Sequence, residues 1–91
     1  MAHARDLIAE LNCTVPVTWT NDIQKLFGRT DVDHMKAATA GRLDLSSYDS
    51  VKIWAWKVYE YVENKYMPPS APWPDAQILT FGCWVKAGCP R

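Results

Sequence analysis

The sequence predicts a small all-α domain with proline-rich loops. Three observations lead there. Val51, Trp54, Ala55, Val58 and Val62 recur at helical spacing over the longest apolar-patterned stretch. Ser, Thr, Asp and Pro stand where helices would begin, and Gly28, Gly41 and Gly88 stand where they would stop. Pro16 and the group Pro68, Pro69, Pro72 and Pro74 break the chain between these segments.

Taken in order, residues 3–11 read as a short helix with Leu7, Ile8 and Leu11 on one face. "CTVPVTW" interrupts it, because Pro16 and its β-branched neighbours favour extended backbone. Thr20 is the expected N-cap of "NDIQKLF", with Asp22 in the first turn and Gly28 as the stop. Thr30 is the expected cap of "DVDHMKAATA", ending at Gly41. Ser46 or Ser47 caps the longest helix, which carries Asp49 in its first turn. Tyr61 and Tyr66 flank its apolar stripe, whereas Ile53 and Trp56 point nearly the opposite way at about 100° per residue. The final helix is predicted from about Pro74 to Ala87. Ile78, Phe81, Gly82 and Val85 form its inner face. Glycine in mid-helix costs about 1 kcal/mol against alanine, so Gly82 marks a close crossing, expected against Leu26 or Phe27.

Composition narrows the function. The 91 residues are 48% hydrophobic and 22% charged, and ten acids balance ten bases. No basic stripe offers nucleic acid or an anionic membrane an electrostatic footprint. No apolar run is long enough to span a bilayer. The first residues lack the continuous apolar core of a signal peptide, so the expected location is cytoplasmic. Cys13, Cys83 and Cys89 are odd in number and show no C-x-x-C spacing; free thiols are expected in that compartment.

The order of "DIQKLF", "LDLSSYDSVKIWAW", "YMPP" and "WPDAQILTFGCWVKAGCP" resembles a class I cytochrome c, over about residues 21–91. Residues 1–20 form an N-terminal extension outside that likeness. The resemblance implies a first helix crossing the last, and it matches Met67 to the axial methionine of the family's M-P-P loop. The family also requires C-x-x-C-H. Counted from Phe27, the cysteine places fall on Asp31 and His34 and the histidine place on Met35. Shifting the frame by one puts His34 at the axial place, with Thr30 and Asp33 at the cysteine places. Neither frame supplies a thiol, so covalent haem is excluded. The chain also looks like a member of a group of short bacterial proteins patterned DIxPLF … D-x-x-x-M … FDLxxYxxV … MPxxxxWP … FxxWxxxGxP. It matches at Asp31, Met35, Leu43 to Leu45, Tyr48, Val51, Met67, Trp73 and Pro74. That group reads as haem-free relatives of the c fold.

Met67, Met35 and His34 are thus vestigial haem-ligand positions, and the two methionines are expected to fill the vacated space. No bound cofactor and no metal site are expected: "DVDH" supplies diverging side chains, and no nucleophile, base and orienting group converge. Trp54, Tyr61, Tyr66, Met67 and Trp73 are the candidate lining of an aromatic pocket. Met67 is expected to point inward among aromatic rings. Ile53 and Trp56, with Tyr59 near, form a candidate interface for a protein partner or a second copy. The alternative is that residues 1–20 cover it. The expected function is a non-catalytic accessory or protein-interaction domain on a haem-less cytochrome-c-like fold. A small-ligand binder using the former haem cleft and an electron carrier with non-covalent haem are the alternatives.

Overall fold

The computed structural model describes residues 8–64 and 73–91. Met67 and Tyr66, and the start of the first predicted helix, lie outside the described residues. The fold is all-α, with no strand among the described residues.

Residues 8 and 9 are helical, and the Leu11 N–H closes the turn on the Ile8 carbonyl at 3.1 Å. The next helical segment begins two residues earlier than Thr20 predicts. Thr18 is its N-cap: its hydroxyl accepts from the Asn21 N–H at 3.2 Å, while the Asp22 carboxylate accepts from the Thr18 N–H at 3.0 Å. The pair is reciprocal in the manner of a capping box, but the carboxylate stands one residue later, at N4 instead of N3. The turn is wide, because the Ile23 N–H reaches the Thr18 carbonyl, so Trp19–Ile23 is a π-helical turn and Gln24–Leu26 a 3₁₀ turn. Trp19 and Ile23 are buried by it. The boundary expected between residues 20 and 21 therefore falls inside this turn, and Ile8 and Trp19 belong to the same buried cluster as the later helices.

Helix α1 spans Arg29–Ala38. Gly28 starts it rather than stopping the segment before: its N–H donates to the Asp31 carboxylate at 3.0 Å. Thr39 ends it by relaying two bonds, donating to the Met35 carbonyl at 2.6 Å and accepting from the Leu43 N–H at 2.9 Å. Gly41, at φ +81°, takes the left-handed position of the following turn.

The predicted long helix is two. Helix α2 spans Tyr48–Ile53, with Ser47 as the cap accepting from the Ser50 N–H, and α3 spans Ala55–Glu63. Trp54 is the joint, at φ −94° and ψ 10°. The β-branched and tryptophan side chains around it are poorer helix formers than Ala or Leu. The apolar stripe survives the joint: Val51, Ala55, Val58 and Val62 are all buried. Helix α4 spans Asp75–Lys86, and Pro74 sits at its N-cap rather than at its first turn. Its C-terminus is a Schellman motif: the Gly88 N–H bonds the Val85 carbonyl and the Cys89 N–H bonds the Trp84 carbonyl, with Gly88 at φ +91°.

The predicted inner face of α4 is correct, but its partner is not. A Cβ at Gly82 would collide with Leu11 Cδ1 and lie 2.9 Å from Tyr59 Cε2. The close approach is to α3 and the amino-terminal segment, not to Leu26 or Phe27. Phe27 instead meets Phe81, one residue away on α4, with ring centroids 6.2 Å apart.

Trp84, fully buried, is the centre of the core. Its ring lies 6.0 Å from Trp19, 6.3 Å from Tyr48 and 5.5 Å from Phe81. Phe81 carries the aromatic chain on to Phe27 and Trp73. The segment after α4 closes over this cluster. The Pro90 carbonyl accepts from Trp84 Nε1 at 2.7 Å and from the Trp19 N–H at 2.9 Å. Trp84, Gly88 and Pro90 thus have a structural use for their spacing: the glycine turns the chain so that the proline carbonyl reaches the indole.

Candidate functional site

Of the expected haem-ligand positions, Met35 and His34 lie among the described residues, and their surroundings differ. Met35 is buried in the core from α1. His34, its neighbour, is exposed. Asp31 is engaged at the helix start and Asp33 is exposed. Among the described residues, no group of three His, Cys, Asp or Glu side chains is placed to hold a metal ion. No buried polar or charged side chain is found among them either.

The described members of the candidate aromatic pocket are used elsewhere. Trp73 is buried against Phe27 and Phe81. Trp54 and Tyr61 are half-buried at the edge of the core, and Lys57 Nζ lies 5.6 Å from the Tyr61 ring centroid. A cleft of about 380 Å³ opens instead between the Gln24–Phe27 stretch, α1 and the turn before α2. Phe27, Val32 and Leu45 are its less exposed, apolar lining. Gln24, Arg29, Asp33 and Ser46 are its exposed polar lining. That mixture, apolar with a few polar groups, is the usual make-up of a small-ligand site. Sequence spacing did not reveal it, because Leu45 and Ser46 reach α1 only through the turn at Gly41.

The three candidate interface residues differ in exposure. Ile53 is 78% exposed and Trp56 is 37% exposed. Tyr59 does not belong with them, being 4% exposed. At about 100° per residue it lies on the flank of the apolar stripe, not opposite it. There Gly82 and Leu11 close over it. Burial, and secondarily the Glu63 carboxylate, raises the Tyr59 pKa.

The cysteines correct the sequence reading. Cys13 and Cys83 form a disulfide, with their Cα atoms 5.6 Å apart across 70 residues of sequence. Only Cys89 is a free thiol, and it is buried. The odd count concealed this: two of the three pair, and the third is enclosed behind the turn that follows α4. Burial raises the Cys89 pKa, and Lys52 offsets this in part. A second feature absent from the sequence reading is the bond from Tyr48 Oη to the Cys89 carbonyl at 2.5 Å. Arg91 lies over the same ring, 4.5 Å from its centroid.

No helix among the described residues is long and apolar enough to cross a membrane. No family model, no curated protein and no solved structure matches this chain.

Proposed function

We propose that the chain is a non-catalytic interaction module, a haem-free relative of the cytochrome c fold that engages a protein partner or a second copy through Ile53 and Trp56. The observation that carries this reading is Ile53, 78% exposed, with Trp56 37% exposed three residues on. Exposed apolar residues that cluster mark interfaces more often than isolated ones do. Ile53 and Trp56 are three residues apart, either side of the Trp54 joint.

The disulfide supports an oxidising compartment as the place of action, against the cytoplasmic expectation. The test is Ile53→Asp. The change should leave the melting temperature nearly as it is, since exposed substitutions typically stay within about 0.5 kcal/mol. It should abolish either self-association in sedimentation or capture of a protein that the parent retains from its native extract. Parent and variant behaving alike in both assays would sink the reading.

The cleft beside α1 favours a second reading, a binder of small amphipathic ligands. An apolar floor with Arg29 and Asp33 one turn apart at its mouth suits a ligand with an apolar body and a polar head. Arg29→Ala would then weaken binding without changing self-association. The third reading, non-covalent haem, predicts absorbance in the Soret region for the purified protein.

A further inference from the structure

The segment between Ile8 and Trp19 is a strap. Both of its ends are anchored: Ile8 is fully buried, and Trp19 packs on Trp84. Between them Asn12, Cys13, Thr14, Val15 and Pro16 are exposed. Among the described residues, no backbone hydrogen bond holds residues 12–17. Three things pin the middle of the strap to α4. Leu11 occupies the notch at Gly82, where a Cβ would collide with it. Lys86 Nζ donates to the Leu11 carbonyl at 2.7 Å. The third is the Cys13–Cys83 bond itself. Beneath the strap lie the Gly82 notch and the ring of Tyr59.

We propose that the Cys13–Cys83 disulfide is a reducible latch: breaking it lets residues 9–17 lift from α4 and uncovers the Gly82 notch and Tyr59, while the helices stay folded. The exposure of Cys13 gives an attacking thiol access, whereas Cys83 is buried. The step is ordinary thiol–disulfide exchange with a dithiol. A dithiol thiolate attacks the Cys13 sulfur and forms a mixed disulfide. The Cys83 thiolate leaves and takes a proton. The second dithiol sulfur then closes on the first, releasing Cys13 as a thiol and leaving the dithiol as a cyclic disulfide. Two electrons pass to the protein. Cys89 takes no part in the attack, because its thiol is buried and held protonated. A strap without a hydrogen-bond ladder is the kind of segment that opens locally at low free-energy cost.

Two measurements test this on the whole chain. Dithiothreitol in native buffer should release two reactive thiols per molecule, counted with a chromogenic disulfide reagent. Chymotrypsin should cut after Leu11 at least about tenfold faster in Cys13→Ser than in the oxidised parent, because cleavage follows the open population. The far-UV helical signal of Cys13→Ser should match the parent at room temperature. Reduction that occurs only in denaturant would overturn the latch, as would unchanged cleavage after Leu11. Loss of the helical signal would overturn it too, since the disulfide would then be a staple for the whole fold.

Discussion

Tyr48 Oη donates to the Cys89 carbonyl at 2.5 Å, joining the first turn of α2 to the segment after α4 across 41 residues. The ring beneath that hydroxyl packs on Trp19 and Trp84, and Arg91 covers it. One side chain therefore closes three parts of the chain onto each other.

Tyr48→Phe keeps the ring and removes the hydroxyl. A part-buried hydrogen bond of this kind contributes about 0.5–1.5 kcal/mol net. At about 4–8 °C per kcal/mol for a domain of this size, thermal unfolding should shift down by several degrees. A melting curve unchanged from the parent would show that the bond contributes nothing.

Met35 and His34 are neighbours in sequence with opposite fates. Met35 is buried in the core and His34 is exposed. Met35→Ala should cost about 2–5 kcal/mol by leaving a cavity. His34→Ala should change stability by no more than about 0.5 kcal/mol. Chemical denaturation of both variants separates a space-filling role from a ligand role. Equal, small effects would mean that neither side chain supports the fold.

The parts of the fold set by local pattern were legible. The stripe Val51, Ala55, Val58 and Val62 is buried as its period requires, and α4 ends at Gly88 because that position needs positive φ. What depends on which segments meet was not. Tyr59 is 70° or so from the centre of the stripe by helical period, so only the arrival of Leu11 and Gly82 decides that it is covered. The Cys13–Cys83 pair needs residues 70 apart to be brought within bonding reach. Thr18 rather than Thr20 is the cap because the turn it opens is wound wide. The cleft has the same origin, since its walls come from separate segments. Ile53 was legible as outward, because the period alone puts it opposite the stripe.

Cys89 offers a pH-dependent check. Its folded pKa is raised above the ordinary value of 9.0 by burial. The sign follows: below that value the thiol is neutral in both states, and its burial carries no penalty from charge. As pH rises above it, the unfolded chain loses its proton first, so stability declines toward the raised folded value. Cys89→Ala should therefore flatten the loss of stability as pH rises above 9.0, relative to the parent. In native buffer near neutrality the thiol should not react with a chromogenic disulfide reagent until denaturant is added. Prompt reaction in native buffer would contradict its burial.

The Gly82 crossing gives the last prediction. A methyl group there would collide with Leu11 Cδ1 and press on the Tyr59 ring at 2.9 Å. Two effects oppose each other in Gly82→Ala. The helix gains about 1 kcal/mol from replacing glycine, while overpacking a tight contact costs about 1–3 kcal/mol. Leu11 meets the methyl with the far end of a flexible chain and can turn aside. Tyr59 cannot as easily, because its ring is buried beside Gly82. The overpacking should therefore win, and Gly82→Ala should be less stable than the parent. Leu11→Ala removes one of the two obstacles. The double variant Leu11→Ala/Gly82→Ala should then lose less than the sum of the two single losses, with a coupling of about 0.5–3 kcal/mol as expected for residues in contact. Denaturant unfolding of the four proteins gives that coupling directly. Strict additivity would mean that Leu11 does not fill the notch at Gly82, and that α3 alone forms the crossing.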